Sequence, residues 1–139
     1  MEWEFGEYKI SNEKSLLSIE KIKELLSKSY WASDRSVEVI EKAISNSDCY
    51  GAYIGNELVG FARVVTDYAT VYWLCDVIVD ENHRGKEIGK KLVKMIVESS
   101  DYKDLRGILA TKDAHGLYEQ FGFGKAAEGR FMMRPLYKD

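Results

Sequence analysis

A basic, glycine-bearing turn between an apolar strand and a helix constrains the fold more than any other segment of the chain. Residues 71–79 (VYWLCDVIV) are largely apolar and predict a buried strand, whereas residues 88–97 have the apolar spacing of a helix. Between them, residues 83–89 (HRGKEIG) combine cationic side chains with two glycines. The first N–H groups of a helix lack internal partners and carry the positive end of the helix dipole. The junction therefore predicts a turn that can bind phosphate.

The glycine spacing excludes two common phosphate loops. A Walker loop requires G-x-x-x-x-G-K-S/T, but Gly85 and Gly89 are one residue too close and Lys91 occupies the Ser or Thr position. A Rossmann fingerprint requires G-x-G-x-x-G, which the chain does not contain. A basic strand-to-helix loop also occurs in proteins that bind no phosphate, so both interpretations of these residues alone are open.

Two motifs together resemble the GNAT superfamily of acyl-CoA-dependent N-acyltransferases. Residues 84–89 (RGKEIG) fit the pattern Q/R-x-x-G-x-G/A, which binds the pyrophosphate of acetyl-CoA in that family, and residues 114–123 (AHGLYEQFGF) resemble its A-x-x-x-Y-x-x-x-G-F element. They occur in the family order, and the resemblance extends over residues 3–136. Glu87 departs from the pattern, which has glycine there. A carboxylate beside a pyrophosphate is electrostatically unfavourable, and its Cβ restricts close backbone approach.

Hydrophobic periodicity predicts the element order β-α-α-β-β-β-α-β-α-β. The hairpins in the middle imply antiparallel pairing, and the strand–helix–strand unit 71–111 implies one parallel pair. The expected fold is α/β with a mixed, mostly antiparallel sheet and helices on both faces, which is the GNAT architecture. The predicted strands are 3–10, 48–54, 57–66, 71–80, 105–111 and 126–135, and the predicted helices are 15–29, one capped by Asp34 or Ser36, one from the basic turn to 99, and 114–121.

Composition narrows the functional classes. A chain of 139 residues suits a single domain over 1–139. Its net charge of −3 disfavours nucleic acid and anionic membranes as partners, and it slightly favours a cationic acceptor. No signal peptide or run of about 18 apolar residues is present, so we expect a cytoplasmic protein with Cys49 and Cys75 as free thiols. The two histidines lack metal-ligand spacing, so no metal is expected.

The resemblance implies an enzyme that moves an acetyl group from acetyl-CoA to a primary amine of a small-molecule or peptide acceptor. Transfer would be direct, through a tetrahedral intermediate, and the protein would be a monomer or homodimer. A GNAT-fold module that binds acyl-CoA without turnover is the alternative. Fold alone does not choose between them.

The resemblance also assigns roles to individual residues. The Val77 N–H would polarise the thioester carbonyl, and Tyr118 would donate a hydrogen bond to the departing sulfur. Asp113 occupies a pantetheine-binding position in relatives, although it can equally cap a helix. The expected cofactor-binding residues are Val77, Val79, Arg84, Gly85, Lys86, Glu87, Ile88, Gly89, Lys90, Asp113 and Tyr118.

The general base and the acceptor site are less defined. Asp76 is the one charge in an apolar strand and is a candidate base. Strand alternation predicts that it lies on the face opposite Trp73, Cys75 and Val77, where it would be structural instead. Water relayed to bulk solvent is another route for the proton. Tyr30, Trp31 and Trp73, with Arg63 beside them, are candidate acceptor-binding residues, although aromatic side chains suit core packing equally well.

Overall fold

The structure, a computed structural model, describes residues 1–127 and 129–135 and contains six strands and four α-helices. The strands form one sheet with neighbours in chain order. No helix in the described part of the chain is long and apolar enough to cross a membrane. In chain order, the elements are β1 (Glu2–Phe5), β2 (Tyr8–Ser11), α1 (Ile19–Ser27), α2 (Val37–Ser45), β3 (Asp48–Ile54), β4 (Glu57–Thr66), β5 (Val71–Val79), α3 (Ile88–Val97), β6 (Arg106–Ile108) and α4 (His115–Glu119).

The sheet is mixed, as predicted. Strands β1 to β5 pair antiparallel, and β5 and β6 form the parallel pair. The parallel ladder is short, since it pairs only Val71–Trp73 of β5 with Arg106–Ile108 of β6. The crossover between these strands contains α3, which begins at the basic turn. This arrangement places the turn at the end of β5, the strand next to the edge strand β6.

Helices cover both faces of the sheet, also as predicted. On one face, Ile22 of α1 and Ile40 of α2 are buried against strand residues such as Phe61. On the other face, Leu92 of α3 is buried in the second core cluster. Gly60 of β4 lets α3 approach closely, because a Cβ there would lie 3.0 Å from a methyl carbon of Ile88. Ser18 and Ser36 cap α1 and α2 through side-chain oxygens that accept backbone N–H groups.

Four predicted elements differ from the structure, and one of them is the strand at 105–111, of which only Arg106–Ile108 form β6. Residues 3–10 are a hairpin of two strands, since Gly6 has a φ of +57° and turns the chain between them. Helix α1 begins only at Ile19, and a 3₁₀ turn at Lys14–Leu16 precedes it. The prediction of a final strand at 126–135 was wrong for the described residues 126–127 and 129–135, while residue 128 lies outside the described ones. The neighbouring strand β6 has only three residues, so few backbone groups are available for a final strand to pair with. A single domain over 1–139 stays a prediction.

Candidate active site

A β-bulge in β5 sets the geometry of the site. The pairing of β4 with β5 shifts between Phe61–Ile78 and Arg63–Cys75, so β5 advances three residues while β4 advances two. Asp76 absorbs the extra residue with a φ of +54°, in the left-handed region. The bulge reverses the alternation of side chains beyond it.

The predicted face of Asp76 was therefore wrong. Trp73 and Cys75 share the face of α1 and α2, and strict alternation would place Asp76 on the α3 face. Instead the Asp76 carboxylate contacts Trp31 and Arg35 on the α1–α2 side. Val77, which strict alternation would place on the α1–α2 face, packs instead against the core on the α3 face. A one-residue bulge reverses the facing of every later side chain in the strand, and the sequence carries no clear sign of it.

Beyond Trp73, the edge of β5 that faces β6 is open. The ladder to β6 ends at the pair Trp73–Ile108, whereas β5 continues to Val79. Backbone groups on this side of the strand, including those near Val77 and Val79, have no β6 partner in the described structure. An open strand edge can pair with an extended ligand that carries amide groups.

The basic turn lines a cavity of about 320 Å³ at the end of this open edge. Gly85 and Glu87 both have left-handed backbones, with φ of +81° and +64°. Glu87 is the N-cap residue of α3, and its side chain makes no capping hydrogen bond. The first N–H groups of the helix are therefore free of a side-chain cap, as a phosphate site requires. The lining residues are Val79, His83, Arg84, Gly85, Glu87, Ile88 and Gly89.

The start of the turn is anchored to the rest of the fold. Asp80, which is 7 % exposed, accepts a hydrogen bond from the Lys21 ammonium at 2.9 Å and one from the Asn82 N–H at 3.0 Å. These hydrogen bonds, the one from Lys21 first, hold the pKa of Asp80 below its ordinary value. Tyr8 and His83 are hydrogen-bonded at 3.1 Å from the Tyr8 hydroxyl to Nδ1. The turn is thereby connected to α1 and β2.

A larger cavity of about 950 Å³ lies beside the bulge and brings together seven of the predicted site residues. It extends from the α1–α2 loop, across the open edge of β5, to the loop before α4. No described residues form a group of three or more His, Cys, Asp and Glu side chains that could hold a metal ion. The predicted residues that line the cavity are Tyr30, Trp31, Trp73, Asp76, Val77, Asp113 and Tyr118. The remaining predicted cofactor-binding residues, apart from Lys86 and Lys90, line the smaller cavity.

Asp76 is the centre of a hydrogen-bonded charge cluster. Arg63 Nε and Arg35 Nη1 each donate to Oδ2 at 2.8 Å, and Trp31 Nε1 donates to Oδ1 at 3.0 Å. Burial favours the neutral carboxyl, but the charges of Arg63 and Arg35 and the hydrogen bonds outweigh it and lower the pKa of Asp76. A carboxylate that is held ionised in this way is a weak base.

Tyr118 and Cys75 are both protonated at neutral pH. Burial, with smaller contributions from Tyr30 and Asp113, raises the pKa of Tyr118 to about 12. Its ring packs edge-on against Phe123, with centroids 6.1 Å apart. Its hydroxyl has no hydrogen-bond partner among the described residues and can donate to a ligand in the cavity. Burial also raises the pKa of Cys75 to about 11, so this thiol is a poor nucleophile.

Sequence reasoning missed the roles of Arg35 and Lys112. A buried carboxylate in an apolar strand requires cationic partners, and this rule was the available signal for Arg35 and Arg63. Lys112 lies across the cavity, with its ammonium 5.3 Å from the centre of the Tyr30 ring and its N–H donating to the Tyr30 hydroxyl at 3.0 Å. This contact joins the α1–α2 loop to the loop before α4, and no local pattern indicates it.

Comparison with known proteins gives consistent matches. The model of the acetyltransferase (GNAT) family matches residues 18–123. The crystal structure of a Xanthomonas campestris protein assigned to the GNAT family is 37 % identical, with a TM-score of 0.90 and 96 % of each chain covered. A Gibberella zeae protein assigned as an acetyltransferase is 26 % identical over an alignment of 117 residues, and the match covers 70 % of this chain and 66 % of that protein. The chain spans only 29 to 35 % of the length of three plant relatives.

One structural neighbour contains the ligand that the resemblance implies. A GNAT family acetyltransferase from Elizabethkingia anophelis, solved with acetyl-CoA bound, has a TM-score of 0.66 at 20 % identity. The match covers 87 % of this chain and 78 % of that one. At this identity the likeness shows a shared fold.

Proposed function

The chain belongs to the GNAT family of acetyltransferases, and from that premise we propose that it moves the acetyl group of acetyl-CoA to a primary amine. The observation that carries the proposal is the convergence of Val77, Tyr118 and an aromatic-lined cavity at the open edge of β5. The turn that would bind phosphate lies at the end of the same strand. A bound thioester would therefore reach from the turn to the cavity along one strand edge.

We propose that the turn holds the pyrophosphate through the uncapped N–H groups of α3. The side chains of Arg84, Lys86 and Lys90 are exposed and supply positive charge nearby. The Glu87 side chain is also exposed, so its carboxylate can turn to solvent. The free N–H groups of β5 near Val77 and Val79 would pair with the pantetheine amides, with Asp113 on the opposite wall.

The two groups proposed for the chemistry act by hydrogen bonding. The Val77 N–H would stabilise the oxyanion of the tetrahedral intermediate, and loss of such a donor typically costs about 10²–10³ in rate. With a pKa of about 12, Tyr118 is a weaker acid than a thiol near 8.5. Full proton transfer to the departing thiolate would be uphill by roughly 5 kcal/mol. Tyr118 therefore stabilises the thiolate chiefly as a hydrogen-bond donor.

The acceptor must lose a proton, and Asp76 is unsuited to take it. Its carboxylate already accepts three hydrogen bonds, and its pKa is lowered. We propose that Asp76 positions Arg35 and Arg63 instead. The proton of the ammonium would then pass to solvent through the open cavity, and the rate should rise with pH as more of the free amine forms.

The alternative, a module that binds acyl-CoA without turnover, is favoured by one observation. Glu87 combines a left-handed backbone with a carboxylate at the position where the family pattern has glycine. Release of CoA thiol in the presence of amines separates the two functions, since only the enzyme produces it. Binding of acetyl-CoA without thiol release from any amine would favour the module.

Replacement of Tyr118 by phenylalanine tests the proposed chemistry. Tyr118→Phe keeps the contact with Phe123 but removes the hydroxyl, so we expect kcat to fall about 100-fold with little change in acetyl-CoA affinity. Steady-state thiol release measures the first quantity and calorimetry the second. Tyr72→Phe is a matched control, because Tyr72 also packs against Phe123 but lies outside the cavity. Unchanged turnover in Tyr118→Phe would remove the assignment.

A further inference from the structure

The cavity wall formed by Trp31, Arg35, Arg63 and Asp76 has more positive than negative charge. Two guanidinium groups share one carboxylate oxygen, and Asp76 supplies the only salt bridges to them among the described residues. The side chains of Arg35 and Arg63 are only 22 % and 15 % exposed, so solvent screens this excess charge poorly. An incompletely neutralised cation in a partly buried wall is a binding site for an anion.

The free donors of the cluster belong mainly to Arg35. Arg63 donates through Nε to Asp76 and through Nη1 to the Ser47 hydroxyl at 2.9 Å. Arg35 donates only through Nη1, and its Nε and Nη2 groups have no acceptor among the described residues. A planar guanidinium with two free nitrogens matches the geometry of a carboxylate. Lys112 adds a third cation to the cavity lining, next to the exposed Asp113 in the sequence.

The rest of the cavity wall is aromatic and apolar. Trp31 and Trp73 are each 42 % exposed and Tyr30 is 56 % exposed, although all three are large hydrophobic side chains. Val65 extends this surface along β4. Partly exposed aromatic side chains around a few polar groups are typical of a pocket for an amphipathic small molecule.

We infer that the acceptor is a free α-amino acid with an apolar or aromatic side chain, whose carboxylate is bound by Arg35. The inference rests on the proposed acetyl transfer and specifies its acceptor. It opposes the weak expectation of a cationic acceptor from the net charge of −3, because the charge of the cavity wall is local and opposite in sign. The amine would be acetylated at the Val77 end of the cavity, while the carboxylate pairs with Arg35 and the side chain contacts the tryptophans.

Three matched amines test the inference with the intact protein. Phenylalanine, phenylalanine amide and phenethylamine share the aromatic body, and only the first has a carboxylate. We expect kcat/KM for thiol release, compared at equal concentrations of free amine, to be at least about 10-fold higher for phenylalanine, as expected for a hydrogen-bonded ion pair. In Arg35→Gln this preference should fall to about 1–3-fold. Lys103→Gln, which removes an exposed cation outside the cavity, should keep it.

The outcomes separate this inference from the proposed function. Thiol release with phenethylamine equal to or faster than with phenylalanine in the wild type would overturn the inference and leave acetyl transfer in place. No release with any amine would overturn acetyl transfer. Quenching of Trp31 and Trp73 fluorescence then measures whether the cavity binds a carboxylate. Tighter binding of phenylalanine than of phenethylamine would support the carboxylate site, and equal binding would overturn it. The wild-type comparison also decides the question if Arg35→Gln fails to fold.

Discussion

The turn proposed to bind phosphate and the cavity proposed to bind the acceptor are built in opposite ways. The turn is one continuous segment, residues 84–89, which is exposed from Arg84 to Glu87 and whose backbone and charges are set by neighbours in the sequence. The cavity is assembled from the α1–α2 loop, two strands and the loop before α4, which are far apart in the chain. We expect substitutions in the turn to have local effects, whereas substitutions in the cavity wall should lower the free energy of unfolding of the whole fold.

The largest expected effect comes from removing the charge of Asp76. Asp76→Asn keeps the shape of the side chain but leaves Arg35 and Arg63 without their carboxylate in a buried setting. Breaking a buried pair in this way typically costs about 3–5 kcal/mol, so we expect a loss near 3 kcal/mol in the free energy of unfolding. Urea unfolding of both proteins measures the difference.

An exposed pair supplies the control. Glu81→Gln removes the salt bridge to Lys28, whose two side chains are about half exposed, and should cost less than about 0.5 kcal/mol. Equal losses in Asp76→Asn and Glu81→Gln would mean that the cluster contributes no more than a surface pair. The comparison of a local turn with a tertiary cavity would then fail.

The charge cluster around Asp76 should also make the free energy of unfolding depend on pH in the acid range. The folded pKa of Asp76 lies below its ordinary value of 3.8. The stabilisation of the folded state by the ionised Asp76 carboxylate is therefore complete well above pH 3.8, and it is lost as the pH falls through the folded pKa. The gap in unfolding free energy between wild type and Asp76→Asn should shrink below about pH 4. A gap that stays constant down to pH 2 would contradict the charge-based explanation.

Two substitutions in the turn should act in opposite directions. At Gly85, with a φ of +81°, a Cβ is strained, so Gly85→Ala should cost about 1 kcal/mol of stability. Glu87 already bears that strain at a φ of +64°, so Glu87→Gly should gain about 0.5–1 kcal/mol. Thermal unfolding compares both variants with Glu98→Gly, an exposed glutamate at the other end of α3 with an ordinary φ of −91°. A gain in Glu98→Gly equal to that in Glu87→Gly would remove the strain explanation.

The elements that could be predicted from the sequence are those that depend on residues close together in the chain. The serine cap of α2, the β3–β4 hairpin and the start of α3 depend on residues within a few positions, and all follow the sequence pattern. The strand 71–79 was also predictable, but the facing of Asp76 and Val77 was not, because the bulge depends on pairing with β4. The contact of Lys112 with Tyr30 joins residues 82 positions apart, and only the folded chain brings them together.

The smallest expected effect lies at that long-range contact. Tyr30→Phe removes the hydroxyl that accepts from the Lys112 N–H at 3.0 Å at an exposed position, so we expect a loss of about 0.5 kcal/mol in stability. The loop around residues 111–113 should exchange its amide hydrogens faster, while α3 should not change. Hydrogen exchange measures both segments in one experiment, and equal acceleration in both would indicate a global effect instead.

Calorimetric titration of acetyl-CoA into the wild type and Glu87→Gly tests the central claim most directly. We expect binding in the micromolar range for the wild type, because the N–H groups of α3 and the open edge of β5 are available. Binding to Glu87→Gly should be tighter, since that variant lacks both the carboxylate and the backbone strain. An absence of heat from both proteins would contradict the account, because neither the turn nor the strand edge would then hold the donor of the acetyl group.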